Sequence, residues 1–295
     1  MRLSFKHACS LAVLALSVAH SARAATNIDS CRAITEPGTY KLTKDLTVPA
    51  DSPGTRTSCI TIKGSNVTLD LNGHLIRGTN RSPNKGIEAL GNGPIPGQGK
   101  NLPATGIRIA NGIVADFNIG IDLLETAGAL VEKVQVNINS QGLRAGRGAI
   151  VRDGRADNNR VQGLVLGPGA FVENMIVGSN GNTGIEAGPG ALVVNVDAEF
   201  NGNRGIDVGT FAVTDVFNNI VAGNVAEGMV VGCPALAAGN TSPFFPNGKS
   251  NVVAKVLDVV LQTVPSLRID DIECVNPALQ PGMVLDHSSD DLNPR

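Results

Sequence analysis

A regular alternation of apolar and polar residues runs through the middle of the chain. Glycine recurs at intervals of 21 to 23 residues, and the first and third residues after each of these glycines are apolar. The residue between them is polar in most repeats, as expected of a short strand with one buried face. These segments begin at Gly120, Gly142, Gly163, Gly184, Gly205 and Gly228.

Two further apolar blocks recur in step with the first, and a polar corner separates them. Three short strands and three turns in about 21 residues form one coil of a parallel β-helix. A leucine-rich repeat would need its own consensus of leucine and asparagine, and a helical repeat would show a period of 3.6 residues. The pattern therefore predicts an all-β, single-domain, right-handed parallel β-helix of roughly nine coils, about 45 Å long.

Asparagine recurs four residues before the repeated glycine. Stacked coils would place these amides in a ladder, at a corner where asparagine tolerates left-handed backbone angles. Such a ladder stabilises the stack, which we favour over a role in ligand binding. Its predicted members are Asn159, Asn180, Asn201 and Asn224.

The amino terminus has the features of a secretory signal peptide. Arg2 and Lys6 precede a short apolar run from Leu11 to Val18, and Ala22-Arg23-Ala24 supplies the small residues of a cleavage site. The run is too short to span a membrane, and no later segment reaches that length. We therefore expect export to the periplasm or the medium, without a membrane span.

Both ends of a solenoid expose open core and unpaired backbone, so caps are expected there. A segment rich in glycine, proline and asparagine before the regular repeats indicates a loop that leaves the stack. Valines in residues 250–264 fit either a helix or a strand. The predicted organisation is a signal peptide at 1–24, an N-terminal cap at 25–58, the β-helix at 59–232 with a side loop at 78–105, a C-terminal cap at 233–280 and a loose tail at 281–295.

Four cysteines remain after removal of the leader, and an even number in an exported chain implies disulfides. They lie in two groups at the two ends of the repeats. We therefore predict the pairs Cys31–Cys59 and Cys233–Cys274, each fixing one end of the solenoid. A metal site is the rival interpretation, but the cysteine spacings lack the close pairs of a typical zinc site.

Loss of the leader leaves 21 basic and 26 acidic residues, a formal net charge of −5. A mildly acidic surface argues against nucleic acid or an anionic membrane as the partner. No cofactor motif is present, and the oligomeric state stays open. A polysaccharide or a cell-surface component is the expected partner.

Several segments resemble the pectin lyase-like superfamily of bacterial right-handed β-helix proteins, over roughly residues 31–280. The resemblance is carried by Ile34-Thr-Glu-Pro-Gly-Thr-Tyr-Lys-Leu, Cys59-Ile-Thr-Ile, Val67-Thr-Leu-Asp-Leu-Asn-Gly-His, Asn111-Gly-Ile-Val-Ala-Asp-Phe and the segment after Cys233. It implies the fold but not one function, because the superfamily includes pectate and pectin lyases, polygalacturonases, alginate-acting enzymes and non-enzymatic adhesins.

The catalytic motifs of these enzymes are not found in this sequence. Polygalacturonase-like hydrolases carry Asn-Thr-Asp, Asp-Asp, Gly-His-Gly and Arg-Ile-Lys on successive coils, and these do not occur here in that order. Asp270-Asp271 falls in the predicted C-terminal cap. The Asp-Pro-His-Glu motif of alginate epimerases is absent. The resemblance therefore supplies a scaffold and no transferable catalytic residue.

The repeat register brings charged residues into outward rows. One row holds Asp122, Arg144, Glu186 and Asp207, and a neighbouring face holds Asp153, Arg155, Asp157 and Asp197. Acids around an arginine would bind Ca²⁺ and a uronate, with Arg144 or Arg155 as the base. The favoured interpretation is a solvated surface with ion pairs between coils. Val165 and Ile176 interrupt the two rows.

Two other features are candidate sites. His74 follows Asn72-Gly73 at a predicted corner, and without a positioned partner a structural role is favoured over acid–base catalysis. Phe244-Phe245 is interpreted as packing over the open end of the core, with an exposed contact patch as the alternative. The chain has no tryptophan and one tyrosine, so few flat rings are available to hold sugars.

Two functional hypotheses follow. The favoured one is a non-catalytic exported β-helix whose rigid side wall binds a glycan or another surface component. The alternative is a polysaccharide lyase or related carbohydrate-active enzyme for acidic polysaccharide. The alternative requires several carboxylates and an arginine to converge in one cleft, and only this hypothesis includes a cofactor, Ca²⁺.

Overall fold

The computed structural model describes residues 24–48, 58–79, 85–93, 101–208, 214–233, 235–238, 240, 248, 252–256 and 273–275. Within these ranges all 26 named elements are β-strands, and the strands pair in parallel. The predicted all-β class is therefore confirmed. In the same part of the chain, no helix has the length and apolar character needed to cross a membrane.

The larger sheet, sheet A, has 13 strands. It contains β1 (Thr26–Ile28), β3 (Gly38–Leu42), β4 (Leu46–Thr47), β6 (Val67–Asp70), β7 (Leu75–Arg77), β10 (Arg108–Ala115), β13 (Leu130–Asn137), β15 (Ile150–Arg152), β16 (Arg155–Asp157), β18 (Phe171–Glu173), β20 (Leu192–Val194), β22 (Thr214–Phe217) and β24 (Ala235–Ala238). Each coil of the chain contributes the next strand along this sheet.

The second sheet, sheet B, has 11 strands and holds the segments that begin at the repeated glycines. It contains β2 (Arg32–Ile34), β5 (Ile60–Lys63), β8 (Lys85–Leu90), β11 (Ile119–Leu123), β14 (Gln141–Ala145), β17 (Leu164–Leu166), β19 (Ile185–Ala187), β21 (Ile206–Val208), β23 (Met229–Cys233), β25 (Val252–Val256) and β26 (Glu273–Val275). A small third sheet pairs β9 (Ala104–Thr105) with β12 (Thr126–Ala127).

The strand register reproduces the period seen in the sequence. Leu143 lies opposite Leu164 in sheet B, and Ile150 lies opposite Phe171 in sheet A. Both pairs are 21 residues apart, so one coil of the solenoid is one repeat of the sequence. Parallel strands of equivalent position stack directly, and each coil contacts mainly the coils beside it.

Inward side chains of the two sheets meet in one continuous apolar core. Sheet A contributes a column of valines, and sheet B contributes the first and third residues after each repeated glycine, as predicted. Among these, Val172, Ile185 and Ile206 have no exposed surface. The alternation of the sequence thus separates a buried face from an outer face in each strand.

The predicted asparagines stack inside the corner that precedes sheet B. Asn180 Nδ2 donates to Asn201 Oδ1 at 3.0 Å and to Ala156 O at 2.9 Å. Asn180 Oδ1 accepts from the backbone nitrogen and from Nδ2 of Asn159, at 3.0 and 2.9 Å. Asn139 extends the row by one coil, since its backbone nitrogen donates to Asn159 Oδ1 at 3.1 Å.

The left-handed backbone angle belongs to the residue before each ladder asparagine, which corrects the expectation from the sequence. Asn158, Ser179 and Phe200 have φ angles of 53°, 54° and 55°. The ladder asparagines are not in this region, because their side chains turn inward while the preceding residue makes the bend. In the earlier coil the residue at the bend is Ile138, with φ 60°.

Replacing Ile138 by asparagine is expected to raise the free energy of unfolding by about 1 kcal/mol. A β-branched residue in the left-handed region is strained, whereas asparagine enters it readily. Ile138 is also 40% exposed, so little apolar burial is lost. Urea unfolding of the variant measures the change. The matched control, Asn158→Ile at the same corner one coil later, should lower the stability by a similar amount, and an unchanged midpoint in both would contradict the assignment of strain.

One of the two predicted disulfides is confirmed. Cys31 and Cys59 are bonded at an S–S distance of 2.05 Å, and each directly precedes a strand of sheet B. Because Arg32 pairs with Ile60, the two cysteines occupy equivalent positions on adjacent coils. The bond therefore joins the first two strands of sheet B.

Strands of the two sheets lie inside two of the predicted segments. The predicted N-terminal cap contains β1 to β4, which belong to the two sheets, and the first described strand begins at Thr26. The predicted side loop at 78–105 contains β8, which lies in sheet B between β5 and β11. The segment Gly86-Ile-Glu-Ala repeats Gly184-Ile-Glu-Ala and forms the same kind of strand for the same reason.

Near the carboxyl end, β24, β25 and β26 extend both sheets into the predicted C-terminal cap. Residues 252–256 form a strand, which decides for that stretch between the helix and strand hypotheses. The signal peptide up to residue 23, the tail at 281–295, Phe244-Phe245 and the side chains of the predicted pair Cys233–Cys274 lie outside the described residues. These stay predictions.

Candidate functional site

The outer face of sheet B forms a polar wall. The middle residue of each repeated segment points outward, and the register aligns these residues one above another. Ala33 and Thr61 begin this column, and from there it reads Glu88, Asp122, Arg144, Val165, Glu186, Asp207 and Val230. The charged row predicted from the sequence follows this register, and Glu88 adds a charge one coil before Asp122.

The amino-terminal half of this wall is neutralised by close ion pairs. Lys85 Nζ lies 2.7 Å from Asp122 Oδ2 and also contacts Glu88. Burial lowers the pKa of Lys85, but the hydrogen bonds that its ammonium group donates to these two carboxylates outweigh this effect and leave the pKa above its usual value. Arg144 Nε lies 3.9 Å from Asp122 Oδ1. Asp122 is only 6% exposed, and its carboxylate contacts Lys85 and Arg144.

Glu125 binds residues on both sides of 94–100 and holds them against the same half of the wall. Glu125 Oε2 accepts hydrogen bonds from Gly91 N at 2.8 Å and from Asn101 Nδ2 at 3.0 Å. The bond from Asn101, followed by the bond from Gly91, holds the pKa of Glu125 below its usual value. The role of Glu125 is therefore structural.

The carboxyl-terminal half of the wall has a different arrangement. Glu186 and Asp207 are directly opposite one another on adjacent strands. Asp207 is paired with Arg204, whose Nε also lies 3.0 Å from Glu227 Oε2. Glu186 is exposed, and it accepts a hydrogen bond from Gln162 Nε2 at 3.3 Å.

A cleft of about 300 Å³ opens at this half of the wall. Val165 is its half-buried apolar side chain, Leu166 and Ala187 line it with little exposed surface, and the two neighbouring carboxylates are part of its lining. The lining residues are Val165, Leu166, Glu186, Ala187, Gly188 and Asp207. Concave sites with an apolar lining and a few converging polar groups are the usual places for small ligands.

The second predicted set of charges lies on the side of sheet A. Arg155 forms an ion pair with Asp157, which is 5% exposed and accepts a hydrogen bond from Gly178 N at 3.2 Å. Asp153 makes the left-handed corner before β16, and its Oδ1 accepts from Asn174 Nδ2 at 3.1 Å. Asp197 is paired in register with Ile176 and Ile220. These residues do not join Asp122 and Arg144, because the two sets occupy outer faces of different sheets.

Sequence reasoning missed a charged triad on the outer face of sheet A. One carboxylate oxygen of Glu132 accepts a hydrogen bond from Arg152 Nη2 at 2.6 Å, and the other accepts one from Arg108 Nε at 2.8 Å. The hydrogen bonds from Arg152 and then Arg108 hold the pKa of Glu132 below its usual value. Arg108 precedes Glu132 by 24 residues, and Arg152 follows Glu132 by 20. The strand register is therefore needed to align the three residues.

His74 has the partner that the sequence did not reveal. Its Nδ1 lies 3.1 Å from Asp45 Oδ1, and the same oxygen accepts a hydrogen bond from Leu75 N at 3.0 Å. The backbone bond and then the bond to His74 lower the pKa of Asp45. Because this carboxylate holds the start of β7, the arrangement fits the structural role favoured for His74.

No group of three or more histidine, cysteine, aspartate or glutamate side chains in the described ranges is placed to hold a metal ion. The carboxylates on the wall contact lysine, arginine, serine, glutamine or backbone groups.

Comparison with known proteins identifies the fold. No family model matches the chain, and no curated protein matches it by sequence. A double mutant of the periplasmic alginate epimerase AlgG is similar in structure, with a TM-score of 0.55 and 13% sequence identity over 83% of this chain and 70% of that chain. The fold is the right-handed parallel β-helix.

The Dettilon tailspike protein is a second β-helix neighbour. It matches with a TM-score of 0.50 and 17% identity over 85% of this chain and 55% of that chain. Across the first three tailspike structures, the chain spans between 39% and 55% of the other protein. At these identities the likeness to both neighbours concerns the β-helix fold alone.

Proposed function

We propose that the protein is an exported, non-catalytic β-helix that binds glycans on the outer wall of sheet B. The observation that carries this proposal is the cleft of about 300 Å³ that opens on a rigid wall, with apolar residues and two carboxylates in its lining. A sugar needs such a combination, because its rings have apolar faces and its edges carry hydroxyl groups. Pairing between the stacked strands holds these side chains in place.

The pairing of the charges favours binding over polysaccharide cleavage. A lyase needs an arginine that is able to take a proton and several carboxylates around it. Arg155 is paired with Asp157, and Arg144 lies beside the Asp122 network. The two arginines lie on different sheets, and each faces carboxylates that already have partners.

The proposal is tested with the purified protein, a glycan array and an assay for the unsaturated product of lyases. We expect saturable binding to at least one glycan and no rise in absorbance with pectate or alginate, with or without Ca²⁺. Val165→Trp should fill the cleft and weaken binding about tenfold or more. Ile150→Trp, at an equally half-buried outward position of sheet A, is the matched control and should bind like the unmodified protein.

Two results would contradict this proposal. Turnover of a uronate polymer that is lost in Arg144→Ala or Arg155→Ala would identify the protein as a lyase. Absence of binding to every glycan tested, by a protein with a normal unfolding transition, would exclude the glycan-binding role.

A further inference from the structure

The outer face of sheet A carries an apolar row. Each of four successive strands begins with a large apolar residue whose side chain points away from the core, because the valine that follows it is buried. The strand register stacks these side chains directly on one another, so they form a continuous stripe of the kind that marks an interaction surface. The members of the apolar row are Leu130, Ile150, Phe171 and Leu192, all half-buried.

Opposite charges stand at the two ends of the apolar row. Arg108 pairs in register with Leu130 at one end, and Asp215 pairs with Leu192 at the other. The two charged residues are five coil spacings apart, about 24 Å, so they do not pair with each other within one chain. Along the stack the order is a cation, four apolar residues and an anion. This order is complementary to its own reverse.

A second copy of the chain fits the apolar row when its stack runs in the opposite direction. A two-fold axis along the strand direction, between Ile150 and Phe171, brings the outer faces of two copies of sheet A together and reverses one stack relative to the other. Ile150 of each copy then faces Phe171 of the other, and the leucines of the row face each other. At both ends of the contact, Arg108 of one copy faces Asp215 of the other.

The neighbouring outward column fits the same arrangement. It lies two residues further along each strand, and Arg152 and Glu173 pair there in register on adjacent strands. The same axis passes between these two residues, so Arg152 of each copy faces Glu173 of the other. A two-fold axis along the stack would instead place Ile150 against the charged Arg152. The charges therefore favour the antiparallel arrangement.

We infer that two copies of this chain associate through the outer faces of sheet A, as a two-fold dimer with antiparallel stacks. The contact covers six coils, about 24 Å from Arg108 to Asp215, and is two outward side chains wide. It is smaller than a standard interface of roughly 800 Å² per partner, so the dimer is reversible, with a dissociation constant on the order of 10 µM. The cleft proposed for glycans lies on sheet B, and association does not depend on it.

Sedimentation equilibrium of the purified protein between about 1 and 200 µM measures this association. We expect the average mass to rise from one chain toward two, with the midpoint near 10 µM on the order-of-magnitude scale above. Phe171→Glu should weaken the dimer about a hundredfold or more, because it buries a charge against the central apolar contact of each copy. Val165→Glu makes the same kind of change at a half-buried outward position of sheet B, and this matched control should dimerise like the unmodified protein.

Charge reversal at the ends of the row tests the orientation of the two copies. Arg108→Asp and Asp215→Arg should each weaken self-association about tenfold or more, because each variant places like charges at both ends of the contact. An equimolar mixture of the two variants should dimerise like the unmodified protein, since every end then joins an arginine to an aspartate. Arg160→Asp, at the exposed corner before sheet B, has the same net charge as Arg108→Asp and should not restore association when mixed with Asp215→Arg.

The results separate this dimer from other behaviour of the chain. A single-chain mass at about 200 µM, or equal association by Phe171→Glu and Val165→Glu, would exclude the apolar row as an interface. If the unmodified protein dimerises but the mixture of Arg108→Asp and Asp215→Arg does not, the antiparallel arrangement is wrong and the inference falls. Circular dichroism melting shows which variants are folded, and if Phe171→Glu is not, the mixing experiment decides. None of these measurements requires a glycan.

Discussion

Asn180→Ala is expected to lower the free energy of unfolding by about 3–5 kcal/mol. The substitution removes an acceptor from the backbone nitrogen and the side-chain nitrogen of Asn159. It also removes the donor to Ala156 O and to the next ladder residue, Asn201. All of these groups lie in the buried corner, where water does not replace the lost bonds without opening the stack.

Equilibrium unfolding in urea measures this loss as a shift in the midpoint. Asn182→Ala serves as the control, because Asn182 is a half-buried asparagine two residues away and outside the ladder. Its replacement should change the stability by less than about 1 kcal/mol. Equal destabilisation by the two variants would show that the stacked amides contribute nothing beyond an ordinary asparagine.

Gly142→Ala is the second substitution with a large expected effect, about 3 kcal/mol of destabilisation or more. A Cβ atom at this position would lie 2.4 Å from Gly163 O and 2.9 Å from Asn159 Nδ2. The next coil and the asparagine ladder approach so closely that only glycine fits. The same contact with the following glycine carbonyl recurs at Gly163, Gly184 and Gly205, which explains why the sequence repeats glycine at this place.

Gly169→Ala separates close approach from backbone conformation. Gly169 has φ 69°, and nothing lies within 4 Å of the Cβ that alanine would add. Its substitution should therefore cost about 1 kcal/mol through backbone strain alone. Chemical unfolding of both variants gives the comparison, and a Gly142→Ala protein as stable as Gly169→Ala would refute the steric account of the repeat.

The period of the sequence was sufficient to predict the fold because one repeat is one coil. Once the coils are in register, alternation decides that Ile185 is buried and Glu186 exposed. The same reasoning missed β8, although Gly86-Ile-Glu-Ala matches a later repeat residue for residue. The next repeated glycine, Gly120, follows Gly86 after 34 residues instead of 21. The segment at Gly86 therefore does not fit the 21-residue period.

The contacts of the site were harder to predict than the rows that carry them. The row through Asp122 and Arg144 follows from the period, but the partner of Asp122 is Lys85, which lies outside the regular repeats. His74 and Asp45 are 29 residues apart, in coils whose length differs from 21. In such irregular coils only the three-dimensional register aligns the partners. The cleft itself depends on the sizes of side chains on several coils, which alternation does not encode.

The disulfide between Cys31 and Cys59 has a consequence for how the chain is built. It links the first two strands of sheet B, which precede every other strand of that sheet in the chain. Each later coil pairs with the one before it, so a secured pair provides a template edge for the third. Assembly is then able to advance from this end, one turn at a time, while the following part of the polypeptide is still unfolded.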